Sequence, residues 1–173
     1  MLGMKLVRLI EAHSETLSRG LAEQIRSSER TPDFRHVSIE DLQRRALEVY
    51  RNLGEWLLQK TETEIEHRFN MIAKARAAEG VPLHQYVWAL LLTRDYLWRF
   101  LRQQAYADTI FELYGELEVL QLLNQFFDRA VYYAIIGYEE AGAPSIAKDD
   151  WARARETAIS IGLMSGRRTG LDS

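Results

Sequence analysis

Arg76-Ala-Ala-Glu-Gly-Val-Pro-Leu-His-Gln-Tyr-Val-Trp-Ala-Leu-Leu-Leu-Thr-Arg-Asp-Tyr-Leu-Trp-Arg-Phe-Leu101 is the stretch that decides the fold. Gly80 suits the left-handed residue that closes a helix, and Pro82 suits the first turn of the next, where a missing N–H costs nothing. From Leu83 to about Gln104, apolar residues fall on nearly every side of the helical wheel. A helix with so little polar surface has to be enclosed by others. The stretch therefore implies an all-α helical bundle, globin-like or of four-helix type, with long antiparallel helices around a central one.

Helical spacing continues in both directions, and strand signals are nearly missing. Leu6, Ile10, Leu17, Leu21 and Ile25 mark a first helix, with His13 filling a gap in its stripe; Thr31-Pro32-Asp33 breaks the polar loop Ser27 to Val37. Ser38, with Asp41 three residues on, reads as the cap of a second helix carrying Leu42, Ala46, Val49, Tyr50, Leu53 and Leu57. Its apolar content lapses around Gln59 to Thr63, which predicts a bend, and resumes with Ile65, Phe69 and Ile72. After the central helix, a last long one from about Asp108 to Gly137 repeats Leu117, Leu120, Asn124, Phe127, Val131 and Ala134 near the 3.5-residue knobs-into-holes period. At ~1.5 Å per residue it would run roughly 40 Å. A second apolar row (Val119, Leu122, Phe126, Tyr133, Ile136) lies on another side. One bundle of this size has little use for both rows, so the spacing predicts a homodimer, with Leu120, Asn124, Phe127 and Val131 at the interface.

Composition bounds the rest. Residues 1–142 read as one helical domain; residues 143–173 read as an extension with a short helix (Trp151, Ala154, Ala158, Ile161) and a frayed end. The formal net charge is −3 with both signs interspersed, so no concentrated positive face for nucleic acid is expected. Cysteine is absent, which excludes disulfides, thiolate metal sites and thiol catalysis. The longest apolar run, Val87 to Leu92, is far too short to insert in a membrane. Met1 to Ile10 runs into Glu11 and His13 without a small-residue cleavage site, so a cytoplasmic location is expected.

Chemistry-bearing motifs are few, and neither a catalytic set nor a cofactor is expected. Glu64-Ile-Glu-His67 has the carboxylate–imidazole spacing of helical di-iron sites, but that chemistry needs the motif twice, and no second copy exists. It reads as a solvated helix face, and no metal site is expected. His13, His67 and His84 lie on or near helical stripes, which keeps a tetrapyrrole in view, although a lone histidine there more often packs than ligates. Arg94 and Asn124 interrupt apolar seams. Desolvating Arg94 calls for a partner, Asp95 or Asp128, while Asn124 in a seam commonly sets register. Trp88, Arg94 and Trp98 form the candidate ligand pocket, against the plainer reading of core packing.

Leu53-Gly54-Glu55-Trp56-Leu57, Arg76-x-x-x-Gly80-Val81-Pro82-Leu83, and Phe126-Phe127-Asp128-Arg129-Ala130 through Gly137-Tyr138-Glu139 resemble the RsbT co-antagonist (RsbRD-type) N-terminal domain family. The likeness spans roughly Leu6 to Glu140 and rests on packing motifs. It implies a bacterial helical sensory domain, usually placed ahead of an output module such as an anti-sigma-antagonist domain or a histidine kinase. Related N-terminal domains in stress signalling resemble globins without haem and form dimers. Nothing after Glu140 is long enough to be an output domain, so this chain is expected to bind a protein partner in a signalling pathway. The expected function is thus a non-enzymatic regulatory domain acting by dimerisation and protein contact; the alternative is a small-molecule or tetrapyrrole-binding helical sensor.

Overall fold

Local signals set the helix ends. In the computed structural model, which describes residues 4–104 and 110–142, seven α-helices and one 3-10 turn occur among the described residues, with no strand. They are α1 (Met4–Ala12), α2 (Ser14–Ser27), the 3-10 turn Pro32–His36, α3 (Ile39–Arg51), α4 (Leu53–Leu58), α5 (Glu62–Ala78), α6 (Leu83–Gln104) and α7 (Ile110–Glu140). The Ser38 hydroxyl accepts from the Asp41 N–H and starts α3. Thr61 and Glu64 form a reciprocal capping box on α5, satisfying two N–H groups that the helix leaves orphaned. Gly80 closes α5 at φ 78°, with the Val81 N–H returning to the Arg76 carbonyl at 3.1 Å. Pro82 follows, and α6 begins.

The bundle is two helix pairs bridged by α6. α5 packs most extensively on α7, α2 packs on α3, and α6 contacts both α7 and α2. α6 and α7 are antiparallel: Trp98 reaches Asn124, whereas Tyr86, twelve residues earlier in α6, stacks on Tyr138. α5 and α7, the next-but-one pair, run in the same direction, with Glu62 beside Tyr133 and Asn70 beside Glu140. Small residues let them approach, for Ala73, Ala130 and Ala134 are all fully buried at the pair. Near the junction with α4, Trp56, Phe69, Phe126 and Phe127 form a tilted and edge-to-face cluster with centroids 5.4 to 6.5 Å apart. Tyr50, fully buried, donates its hydroxyl to the Thr93 carbonyl at 3.0 Å and ties α3 to α6. Gln85 pins the 3-10 turn to α6 by accepting from the Asp33 N–H and donating to its carboxylate.

Two helices expected to be continuous are broken. The first divides at His13, whose ring nitrogen Nδ1 lies 2.8 Å from the Leu9 carbonyl oxygen and whose own N–H is shared between Leu9 and Ile10. The second divides at Asn52, whose side-chain amide donates to the Glu48 carbonyl at 3.0 Å, offering that acceptor a partner outside the regular ladder. Glu11 of α1 then accepts from the Gly54 N–H at 2.9 Å, which fixes the short α4 against α1. α6 is central, yet Val87, Trp88, Leu90 and Leu91 are only half-buried. The helix expected after Pro144 and the frayed end lie outside the described residues, and no helix among those described is long and apolar enough to cross a membrane.

Candidate functional site

Between α3, α5 and α6, with Phe126 and Phe127 of α7 behind them, lies a cavity of about 530 Å³. That is within the ~300–1,000 Å³ range of small-molecule sites. Its walls are apolar: Leu42 and Ala46 from α3, Phe69 and Ile72 from α5, Ala89 and Leu90 from α6. Charged side chains also line it, Arg44 and Arg45 on α3 and Arg68 and Arg76 on α5, together with Asp41, Glu48 and Glu79. The helix spacing explains the convergence. Arg44 and Arg45 follow the Ser38 cap by two turns, and Arg68 and Arg76 lie two turns apart on one face of α5.

The charges do not cancel. Asp41 pairs with Arg44 and, at 2.6 Å, with Arg45; Glu79 pairs with Arg76 at 2.5 Å and lies 3.6 Å from Arg45; Glu48 pairs with Arg68. Four guanidiniums thus face three carboxylates. Arg76 is the most enclosed of the four, its side chain 12% exposed against 76% for Arg44. Its Nε is the only buried side-chain nitrogen or oxygen without a hydrogen-bond partner among the described residues. Leaving such a donor desolvated and unpaired costs roughly 1–3 kcal/mol, more for a charged group. Tyr86 lines the same space; burial pushes its phenol well above the usual tyrosine range, opposed by the nearby Arg76, so it stays a neutral hydroxyl.

The expected pocket residues are elsewhere. The cavity face of α6 carries Tyr86, Ala89, Leu90 and Thr93. At ~100° per residue, Arg94, Trp98 and Trp88 lie roughly 90° to 150° round the helix from it. Trp88 lies under the Arg30 guanidinium at 4.2 Å. Arg94 and Trp98 turn toward α7 instead: Arg94 is 3.4 Å from Asp95 and 4.0 Å from Asp128, and the Trp98 indole N–H donates to the Asn124 side-chain oxygen at 3.2 Å. The three are not brought together into one pocket.

Arg94 and Trp98 instead border an open face shared with α7. Leu120, Asn124 and Val131 are half-buried there, Asp128 is exposed, and Leu117 is 51% exposed. The antiparallel register sets Leu91 of α6 level with Val131. Phe127 does not belong to this face; it is 2% exposed, inside the aromatic cluster and against the cavity. Phe126 and Phe127, from the two different rows, are both buried because α7 is covered by α5 on one side and α6 on the other.

Glu64 is engaged by the Thr61 N–H and hydroxyl at 2.8 and 3.0 Å, which hold its carboxyl below the usual range. His67 beside it is exposed, in a surface groove with Trp56 and Met71. His13 packs on Phe100 with ring centroids 5.3 Å apart, and none of the four histidines lines the larger cavity. Among the described residues no group of three or more His, Asp or Glu is placed to hold a metal ion. Comparison with protein-family models, with curated proteins and with solved structures returns no match for this chain.

Proposed function

We propose that this chain is a non-enzymatic regulatory module that passes a signal to protein partners, a second copy of itself first among them, through the packing of α7. One observation carries the reading. Leu117, Leu120, Asn124, Asp128, Val131 and Ile135 follow one another in steps of three and four residues along the open side of α7, while another set on the same helix fills the core. Such spacing is that of a helix seam, and a polar Asn within a seam fixes register. The face also carries both signs, Arg94 and Asp128, 4.0 Å apart, and a two-fold contact, in which one patch meets its own copy, needs both.

The side chains that would otherwise invite catalysis are engaged in structure, which supports a non-catalytic role. Glu64 caps α5, Tyr50 holds the Thr93 carbonyl, and Tyr138 donates to the Val81 carbonyl at 2.9 Å. The motif resemblance supports a bacterial, cytoplasmic stress-signalling setting, with a haem-free globin-like domain acting on a partner chain. Since α7 is at once core and outer face, a change in core packing would reach the partner directly.

Light scattering of the purified chain at micromolar concentration tests this. The expected mass is that of a dimer. Leu120→Glu with Val131→Glu should give a monomer of unchanged helical circular dichroism, and Asn124→Leu should alter association more than helicity. A monomeric wild type, or association indifferent to all three changes, would remove α7 as the interface.

A further inference from the structure

The arginine-lined cavity has no role in the dimer face, and its chemistry is specific enough to name what it takes. We propose that it binds a small amphipathic carboxylate, with the anionic head at Arg76 and Arg68 and the apolar body between Phe69, Phe126, Phe127 and Leu42. This inference goes beyond the dimeric reading and stands whether or not the chain associates.

Three independent features converge on that ligand class. The cavity is lined by one more guanidinium than carboxylate, so a single negative charge would complete it. The Nε–H of Arg76, a residue that lines the cavity, is buried and unpaired, and a carboxylate is the planar acceptor that a guanidinium edge fits. The walls beyond are aliphatic and aromatic, which a bare inorganic anion would leave unfilled. Tyr86, neutral and lining the cavity, adds a hydroxyl donor within the field of Arg76 and Arg68. Arg44, Arg45 and Arg76 share two carboxylates, Asp41 and Glu79, so one positive charge of that network is left without a counterion. The site also touches α7 through Phe126 and Phe127, so an occupant would bear on the helix proposed to transmit the signal.

Isothermal titration of the full chain with sodium decanoate, below its micelle-forming concentration, tests the proposal. Decanol serves as the headless control and inorganic phosphate as the bodiless one. Saturable one-to-one binding of decanoate is expected, with decanol and phosphate at least about tenfold weaker, as the loss of a charged hydrogen bond or of the apolar contact implies. Arg76→Gln should weaken decanoate by about tenfold or more. Ala46→Phe, which fills the cavity from α3 without touching a charge, should abolish binding while the circular dichroism spectrum is retained. Ala46→Phe guards against the possibility that Arg76→Gln acts only through loss of its Glu79 pair. Absence of saturable binding, equal affinity for decanol, equal affinity for phosphate, or wild-type affinity in Ala46→Phe would each overturn the assignment. Since the readout is binding and not mass, these outcomes are distinct from failure of the dimer.

Discussion

Gly137→Ala is the substitution whose outcome the packing constrains most tightly. Gly137 lies in α7 against α5, and a Cβ there would fall 2.7 Å from the Ala73 Cβ, 2.8 Å from the Asn70 carbonyl oxygen and 3.2 Å from the Asn70 Cα. Ordinary carbon contacts are about 3.5–4.0 Å, so the helices must part by about 1 Å. Two of the three obstructing atoms are backbone, which cannot rotate away. Overpacking of this kind costs about 1–3 kcal/mol. Replacing a helical glycine by alanine returns about 0.8–1.0 kcal/mol of propensity. The expected net loss is about 1–2 kcal/mol, since parting α5 from α7 also loosens the buried Ala73, Ala130 and Ala134. For a chain of this length the corresponding fall in Tm is roughly 2–8 °C. Thermal and urea unfolding followed by circular dichroism would measure it, with the exposed Glu118→Ala as the control. A Gly137→Ala protein as stable as wild type, or more so, would refute the close α5–α7 crossing.

Other expectations follow from the same contacts. Phe127→Ala should cost about 3–5 kcal/mol in unfolding measurements, as for a core aromatic, and should act on stability before association. Thr61→Ala should cost about 1 kcal/mol by removing the cap of α5. Glu64 and Glu140, both held below the carboxylate value of 4.5 by hydrogen bonds from Thr61 and from Lys74 and Asn70, contribute stability that is present above the unfolded pKa and lost as pH falls through the lower folded value. Tm should therefore decline below about pH 4.5, less steeply in Thr61→Ala, and an unchanged profile would count against the capping box. Burial pushes the Tyr50, Tyr86 and Tyr138 phenols well above their usual value of 10.0, and the bond to Glu62 pushes Tyr133 up to about 12. That contribution is complete below pH 10 and falls as pH rises beyond it, so a spectrophotometric titration should leave Tyr50, Tyr86 and Tyr138 protonated until the bundle unfolds, whereas the accessible Tyr133 titrates in the folded protein.

Legibility in the sequence divides along a physical line. Signals carried within a few residues were readable: Gly80-Val81-Pro82 marks the α5–α6 junction because only that backbone chemistry closes one helix and opens another, and Ser38 marks the start of α3 for the same reason. The breaks at His13 and Asn52 were not, because each depends on a side chain bonding back to its own helix within an unbroken apolar stripe. On α7 the period gave two rows without saying which neighbour each meets. The core took Phe126 from one row and Phe127 from the other, and left Leu120, Asn124 and Val131 half-open. The cavity was least visible of all. Arg44 and Arg45 are too short a basic run to mark a site, and nothing local indicates that Arg68 and Arg76, on a different helix, would meet them over Phe126 and Phe127. Placing the pocket at Trp88, Arg94 and Trp98 followed the aromatic content of α6, whereas the helix turns its smaller face, Ala89 and Thr93, toward the space.

The chain has no cysteine of its own, so single introduced cysteines report directly on which surface meets a second copy. Under mild oxidation, at least one of Leu120→Cys, Asn124→Cys and Val131→Cys should form a covalent dimer rapidly, and Met71→Cys, on α5 and more exposed than any of the three, should not. Rapid cross-linking through Met71→Cys with none along the α7 row would contradict the account.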